Sequence, residues 1–205
     1  MKGCIIALEG PEGGGKTTQA TLLTKNLNDR GFAAEYIREP GGTRVGEQVR
    51  NVLLDVDNDG MDPWAEALLY AASRAELVDK VLLPKLNEGK VLVLDRYYDS
   101  SIAYQGGGRE LPLDFIRSIN EKARQVAPPL HTFILDISPE VGLGRKNAQD
   151  EVNRMELQQM DFHTRVRETF LSIAKGDGYT ILDATRPAEE LSAEILKETL
   201  KRLSK

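Results

Sequence analysis

The sequence holds a single cysteine, Cys4, and no apolar run that approaches a membrane span of about 20 residues. One cysteine excludes an intrachain disulfide, and its place in the first apolar run favours a small buried side chain over a reactive thiol. Basic residues are in slight deficit, since 27 Lys and Arg face 32 Asp and Glu, for a net charge of −5. The balance argues against nucleic acid as a partner. The first apolar run is also too short for a signal peptide, so we expect a cytoplasmic protein with no membrane partner.

Histidine is scarce as well, and neither His131 nor His163 lies in a metal-binding or catalytic-triad pattern, so we interpret both as structural. Asp55–Glu66 does fit the spacing of an EF-hand calcium loop. However, Asp62 stands where a small hydrophobic residue is usual, Pro63 follows it, and the chain has no partner hand. The simpler interpretation is a helix start, with Asp62 as the cap and Pro63 in the first turn.

The 205 residues are enough for one sizeable core, and we predict a single domain over 1–205. A helix is expected from Lys16, ending at Gly31, and a long helix from Pro63, kinked near Pro84. Because helical segments separate apolar runs that do not alternate, the prediction is an α/β fold with a parallel sheet covered on both faces. The predicted strands are GCIIALE (3–9), AAEYIR (33–38), KVLVLD (90–95), HTFILDI (131–137) and YTILDA (179–184).

The segment GPEGGGKT, Gly10–Thr17, matches the phosphate-loop pattern G-x-x-x-x-G-K-S/T and lies between the first predicted strand and a predicted helix. Glycines let backbone N–H groups turn inward around a phosphate, and the following helix adds its positive end. Lys16 is expected to reach the β- and γ-phosphates, and Thr17 to offer its hydroxyl to Mg²⁺. The residues predicted to bind the nucleotide here are Gly10, Pro11, Glu12, Gly13, Gly14, Gly15, Lys16, Thr17 and Thr18.

The arginines distinguish the classes of protein that share this loop. A guanine-reading N-K-x-D motif is absent, and Asp57–Gly60 spells D-x-x-G without a preceding apolar strand, which argues against a GTPase. A kinase needs a second phosphate pocket opposite the loop, and arginine matches phosphate geometry as a fork. Arg38 and Arg96 directly follow the second and third strands, where ligands of parallel sheets bind. Arg50 and Arg74 lie on neighbouring predicted helices.

Three further segments carry a family resemblance: IREPGGT (37–43), EALLYAASR (66–74) and DRYYDSSIAYQGGGR (95–109). Together with the phosphate loop and its acidic Glu12, they resemble bacterial thymidylate kinases over nearly the whole chain. The resemblance implies a P-loop NTPase fold with a five-stranded parallel sheet. It also implies transfer of the γ-phosphoryl of ATP to dTMP, a requirement for Mg²⁺, and a homodimer, for which the Ala- and Leu-rich helix from Pro63 is the candidate interface.

The resemblance also implies roles for individual residues. Arg96 would lie between the donor and acceptor phosphates and neutralise charge in the transition state. Asp95 would lie near the metal, with a helix cap as the alternative, and Tyr70 would stack on thymine, with ordinary helix core as the alternative. Arg74 would address a thymine carbonyl, and Tyr104 would crowd the sugar C2′ position.

Glu12 would approach the sugar 3′-hydroxyl and the metal, or instead help to cap the loop. Ser101 and Gln105 would read the polar edge of the base, and Arg38 and Arg50 would bind the acceptor phosphate. The Glu39–Pro40 bond is expected to be cis in such a protein. The complete dTMP set is Glu12, Arg38, Glu39, Pro40, Arg50, Tyr70, Arg74, Arg96, Ser100, Ser101, Tyr104 and Gln105; Arg145, Thr185 and Arg186 join the ATP set.

One departure concerns the catalytic arginine, which relatives place in the phosphate loop or in a mobile lid. The loop has none here, and the lid segment, about 142–156, carries Asn153 where many relatives have Asp. We rank its cations Arg145, Arg154 and then Lys146 as the group that reaches the transferred phosphoryl. The catalytic set is therefore Lys16, Arg96, Glu12, Arg38 and Arg145.

Two alternatives stay open at this point. Within the class, the chain would phosphorylate a different deoxynucleoside monophosphate in the same pocket. In a different class, it would be a P-loop ATPase or switch module without an acceptor, which leaves the arginines and the DRYYDSS segment unexplained.

Overall fold

A five-stranded, all-parallel sheet organises the chain; the structure, a computed structural model, describes residues 2–147 and 153–204. The strand order is β2-β3-β1-β4-β5. The predicted parallel sheet is confirmed, and each strand lies within a residue or so of its predicted bounds. The strands are β1 Cys4–Glu9, β2 Ala34–Arg38, β3 Val91–Asp95, β4 His131–Asp136 and β5 Tyr179–Asp183.

Helices connect the strands, and α1 and α3 begin where the sequence signals predict. Helix α1 starts at Lys16, and α3 starts at Pro63, with the Asp62 carboxylate accepting from the backbone N–H groups of Trp64 and Ala65. The Asp62 cap is therefore confirmed. The helices are α1 Lys16–Asn28, α2 Arg44–Leu54, α3 Pro63–Leu77, α4 Leu83–Asn87, α5 Tyr98–Ser101, α6 Leu113–Ile119, α7 Glu121–Val126, α8 Pro139–Asn147, α9 Met160–Ile173 and α10 Ala188–Leu203.

The long helix predicted from Pro63 changes its helical type before Pro84. Residues Val78–Leu82 continue α3 as a π-helix, and Pro84, which has no N–H to donate, follows in the first turn of α4. A second π-helical stretch, Ile102–Gly108, follows α5. None of the helices in the described part of the chain is long and apolar enough to cross a membrane.

The core has two layers because successive β1 side chains point to opposite faces of the sheet. Ile6 and Leu8 pack with α1 and α10, whereas Ile5 and Ala7 pack with α3 and the π-helical turn after it. Cys4 was expected to be buried, but it is only partly so, because it begins β1 at the open amino edge of the sheet.

Both histidines belong to this packing. His131 contacts the Thr180 hydroxyl at 2.8 Å and packs edge-on against Phe133, while His163 packs edge-on against Phe162. No group of three or more His, Cys, Asp or Glu side chains among the described residues is arranged to hold a metal ion.

The register places the charged ends of three strands side by side. Leu8 of β1 and Arg38 of β2 both pair with Asp95 of β3. The segments that follow these strands, including Gly10 and Arg96, therefore emerge at one edge of the sheet, where open parallel sheets bind ligands.

Candidate active site

A cavity of about 610 Å³ opens at the carboxyl ends of the strands. The phosphate loop and the segments after β2 and β3 contribute to its wall, as do α2, α3 and the π-helical turn at 102–108. It gathers residues from the phosphate loop and from the three segments that carry the family resemblance. Of the predicted site residues, all line it except Gly10, Pro11, Gly14, Thr185 and Arg186.

The phosphate loop is held open by backbone geometry that only glycine adopts freely. Gly10, Gly13 and Gly15 have φ angles of 130°, 70° and 81°. A Cβ at Gly13 would lie 2.0 Å from the carbonyl oxygen of Gly142, so this glycine is also required by close packing. The Lys16 ammonium donates to the Pro11 carbonyl oxygen at 2.6 Å, across the mouth of the loop.

Two hard oxygen ligands meet beside the loop. The Thr17 hydroxyl donates to Asp95 Oδ2 at 2.5 Å, and the Tyr36 hydroxyl donates to the same oxygen at 3.3 Å. A hydroxyl and a carboxylate suit Mg²⁺, which prefers oxygen ligands and keeps several waters. The alternative role of Asp95 as a helix cap is wrong, because α5 begins after Tyr97 and has no side-chain cap.

Arg96 connects the loop with the rest of the cavity. Its guanidinium donates to Glu12 Oε1 at 2.7 Å, the Gly10 carbonyl at 3.1 Å, the Ser100 hydroxyl at 3.1 Å and the Tyr104 hydroxyl at 3.0 Å. The Tyr104 hydroxyl in turn donates to Glu12 at 2.9 Å. The backbone of Arg96 is left-handed, with φ at 71°, a costly conformation for a side chain of this size. Such strain at this position marks a functional constraint.

Basic and aromatic side chains also line the cavity. Arg38 is half-exposed and pairs with Glu47 at 3.1 Å, and Arg50 donates to the Pro40 carbonyl at 2.9 Å. Tyr70 lines the cavity, so the alternative that it is ordinary helix core is wrong. Burial raises the pKa of Tyr70 to about 12, which keeps its ring neutral. The Glu39–Pro40 bond is cis, as expected from the resemblance.

Arg74 is bound more tightly than the sequence suggested. Its Nε donates to Glu39 at 2.7 Å, its Nη1 donates to Ser101 and Asn120 at 2.8 and 2.6 Å, and its Nη2 donates to the Tyr97 carbonyl at 3.2 Å. Nη2 also forms an ion pair with Glu39 at 2.6 Å. All three guanidinium nitrogens thus have partners, and the predicted contact with a thymine carbonyl would require one of these contacts to be exchanged.

A family model for thymidylate kinase matches residues 8–195. The chain belongs to the thymidylate kinase family. Curated relatives named thymidylate kinase include one from Deinococcus radiodurans, 46% identical over 196 residues, which are 95% of this chain and 95% of the relative. Another, from Limosilactobacillus fermentum, is 48% identical over 85% of this chain and 83% of its own length. A third, from Lactobacillus acidophilus, is 40% identical over 100% and 97%. The resemblance seen in the sequence is confirmed, and with it the P-loop NTPase fold.

The segment that would form the lid in this family is described only in part, because residues 148–152 and the Lys146 side chain lie outside the described portion. Arg145 donates to the Ala184 carbonyl at 2.9 Å and lines the cavity. Arg154, by contrast, is fully buried and pairs with Glu66 at 2.8 Å. Arg145 therefore faces the phosphate loop, whereas Arg154 does not line the cavity.

Asn153, the residue that the sequence comparison singled out in the lid segment, caps the turn that follows it. Its Oδ1 accepts from the Met155 and Glu156 backbone N–H groups, at 2.9 and 3.3 Å, and its amide donates to Glu156 at 2.7 Å. Asn caps a turn as well as Asp does, so the exchange preserves this turn. Further along the chain, Thr185 contacts Asp183 and Arg186 pairs with Glu194, and neither lines the cavity.

Sequence reasoning missed Glu9, which lies directly beneath the Arg96 turn. Its Oε1 accepts from the Tyr97 and Ser100 backbone N–H groups, at 2.7 and 3.1 Å, and its Oε2 accepts from the Ser100 hydroxyl at 2.5 Å. Only the position of an acidic residue at the end of an apolar strand could have pointed to it. Burial, assisted by the charge of Asp99, raises the pKa of Glu9 to about 8, and burial raises that of Asp99 to about 6.

These two carboxyl groups should make the fold less stable as pH rises. Between its ordinary pKa of 4.5 and about 8, folded Glu9 keeps a proton that the unfolded chain releases, so the unfolding free energy falls with pH across this window. At about 1.4 kcal/mol per pKa unit, the loss is on the order of a few kcal/mol. Urea unfolding at pH 5, 6.5 and 8 should show a smaller decline for Glu9→Gln than for the wild type. Glu189→Gln, at an exposed site, should leave the decline unchanged, and an unchanged decline in Glu9→Gln would show that Glu9 is ionised throughout.

Proposed function

We propose that the chain transfers the γ-phosphoryl group of ATP to dTMP, giving dTDP and ADP. The observation that carries the proposal is the position of Arg96, whose guanidinium contacts the phosphate loop at Gly10 and Glu12 and also Ser100 and Tyr104 of the segment after β3. An arginine held between the phosphate loop and the segment that carries the predicted acceptor residues suits a reaction in which two phosphate groups meet. Family membership supplies the choice of dTMP as acceptor.

Phosphoryl transfer of this kind needs positioning and charge neutralisation, with no covalent enzyme intermediate. A dTMP phosphate oxygen attacks the γ-phosphorus in line, and the bond from that phosphorus to the β–γ bridging oxygen breaks, leaving ADP. Lys16, Arg96 and Arg145 offer positive charge on the donor side, and Arg38 and Arg50 on the acceptor side. Glu12 orients Arg96 through the 2.7 Å ion pair.

Thr17 and Asp95 are the residues that would hold Mg²⁺, because their two oxygens lie within 2.5 Å of each other beside the phosphate loop. When bound, Mg²⁺ offsets negative charge on the β- and γ-phosphates. Removal of divalent ions with EDTA should therefore abolish turnover, and added Mg²⁺ should restore it.

On the acceptor side, Tyr70 would stack on the base, Tyr104 would crowd the sugar C2′ position, and Ser101 and Gln105 would face the polar edge of the base. Each of these side chains lines the same cavity as Arg50. The lid role of segment 142–156, the single-domain organisation and a cytoplasmic location stay predictions.

The direct test is ADP release from ATP and Mg²⁺, first without an acceptor and then with dTMP, dUMP, the ribonucleotide of thymine, dCMP, dGMP and AMP in turn. Release with dTMP, weaker release with dUMP and little with the others is the expected result. Preference for another monophosphate would keep the kinase class and change the substrate. Equal release without any acceptor, after removal of contaminating ATPase, would contradict the kinase proposal.

We also propose a homodimer formed through α2 and α3. Helix α3 exposes 44% of Trp64 and 51% of Leu68 one turn apart, and the adjoining α2 exposes 47% of Val45 and 44% of Val52. Exposed apolar side chains on two packed helices are typical of a protein–protein interface.

A charge on this surface should separate the subunits. Leu68→Glu is expected to convert the dimer to a monomer at micromolar concentration, because a carboxylate buried in an apolar interface has no partner there. Light scattering after size-exclusion chromatography measures the mass directly. Val126→Glu places the same charge at a similarly exposed residue on α7 and should leave the mass of the dimer unchanged. A wild-type monomer would refute the proposal.

A further inference from the structure

Glu66 is a buried carboxylate that the proposed mechanism does not use. It lies on α3, one helical turn before Tyr70, and its side chain is fully buried. Oε1 accepts from Gln105 Nε2 at 2.9 Å and from Arg109 Nε at 3.2 Å. Oε2 accepts from Arg109 Nη2 at 2.9 Å and forms an ion pair with Arg154 Nη1 at 2.8 Å. A buried carboxylate with this many donors has a defined orientation.

The contact with Gln105 fixes which end of that amide faces the cavity. A carboxylate between two guanidinium groups offers only acceptor atoms, so the Gln105 NH₂ group must point to Glu66. The Gln105 carbonyl oxygen is then left for the cavity, which Gln105 lines, and it accepts no hydrogen bond from the described residues. The wall therefore presents an acceptor to whatever base lies against it.

We infer that Glu66 is a positioning residue for acceptor selectivity, and this inference rests on the proposed function. An acceptor on the wall matches a pyrimidine that carries a proton on ring N3, as thymine and uracil do. Cytosine has a lone pair at N3, which would face the Gln105 oxygen with no hydrogen between them. A buried polar pair left unmade in this way is costly. Glu66 thus makes the cavity discriminate between dTMP and dCMP without touching either.

The variant Glu66→Gln should reverse this preference. Three of the four polar contacts around residue 66 come from arginines, and two of them meet at the Oε2 position. The new amide oxygen is expected at that position, which turns the new NH₂ group toward Gln105. Gln105 must then accept with its oxygen and present its own NH₂ group to the cavity.

The measurement is the selectivity for dTMP over dCMP. It is expressed as the ratio of the two kcat/KM values and as the ratio of the two affinities (1/Kd) from calorimetry. In Glu66→Gln each ratio should fall by at least about tenfold. Thymine N3–H would face the Gln105 NH₂ group and lose its acceptor, whereas the lone pair at cytosine N3 would gain a donor. The Kd ratio does not depend on turnover, so a failure of the inference is distinguishable from a failure of the proposed function. A wild type that fails to phosphorylate dTMP would refute the latter.

Arg109→Met is the matched control, since it removes two hydrogen bonds from Glu66 and leaves the contact with Gln105 in place. It should lower the melting temperature and keep the dTMP to dCMP ratio within about twofold of wild type. If Glu66→Gln does not fold, Gln105→Met tests the same step, because it removes the amide and should collapse the ratio. The inference is overturned if Gln105→Met keeps the wild-type ratio, if Glu66→Gln weakens both nucleotides equally, or if Arg109→Met shifts the ratio as far.

Discussion

Arg96→Ala is expected to lower kcat by about 10³-fold or more, the range known for arginines that stabilise a transferring phosphoryl group. The reason is geometric, because the Arg96 guanidinium contacts Gly10 and Glu12 on the phosphate loop and Tyr104 on the segment after β3. A charge placed there acts mainly in the transition state, so kcat should fall much further than KM rises. Steady-state kinetics with ATP and dTMP separate the two.

Two comparisons sharpen this test. Arg96→Lys keeps the charge but loses the fork that reaches several acceptors at once, so its kcat should lie between those of wild type and Arg96→Ala. Arg124→Ala removes a half-exposed arginine from a surface pair with Glu121 and should leave kcat unchanged. If kcat falls by less than about tenfold in Arg96→Ala, Arg96 does not stabilise the transition state as proposed.

Lys16→Met should lower kcat by about 10²- to 10³-fold, as expected when one preorganised donor to a developing negative charge is removed. Lys16 is buried in the phosphate loop, where its ammonium already donates to the Pro11 carbonyl. Lys25→Met removes an exposed lysine from the same helix and should leave kcat unchanged, which controls for loss of a charge on α1. Equal losses in both variants would contradict a specific role for Lys16.

The protonation of Lys16 gives this prediction a second readout. Burial, with the neighbouring charge of Arg96, lowers the pKa of Lys16 to about 8 in the free protein. The charged form is therefore lost as pH rises through 8, and ATP affinity should weaken over the same range. Because phosphate favours the ammonium, ATP binding near pH 8 should take up a proton, which calorimetry in buffers of different ionisation enthalpy measures. Lys16→Met should abolish that uptake.

The sheet and the phosphate loop could both be predicted from the sequence alone. Both depend on local patterns, since the strands are unbroken apolar runs and the loop is a fixed spacing of glycines before Lys16 and Thr17. The gathering of Arg38, Asp95 and Arg96 at one edge also followed, because a parallel sheet brings the carboxyl ends of its strands together. These features need no knowledge of which side chains touch.

The partners of the buried charged side chains could be identified only from the folded structure. Glu66 meets Gln105, Arg109 and Arg154 from two other segments, and Arg74 uses its donors on Glu39, Ser101 and Asn120. Nothing in local spacing predicts these pairs, because a buried charge takes whichever partner the packing of distant elements brings within about 3 Å. For the same reason Arg154, which the sequence offered as a lid cation, is a buried partner of Glu66.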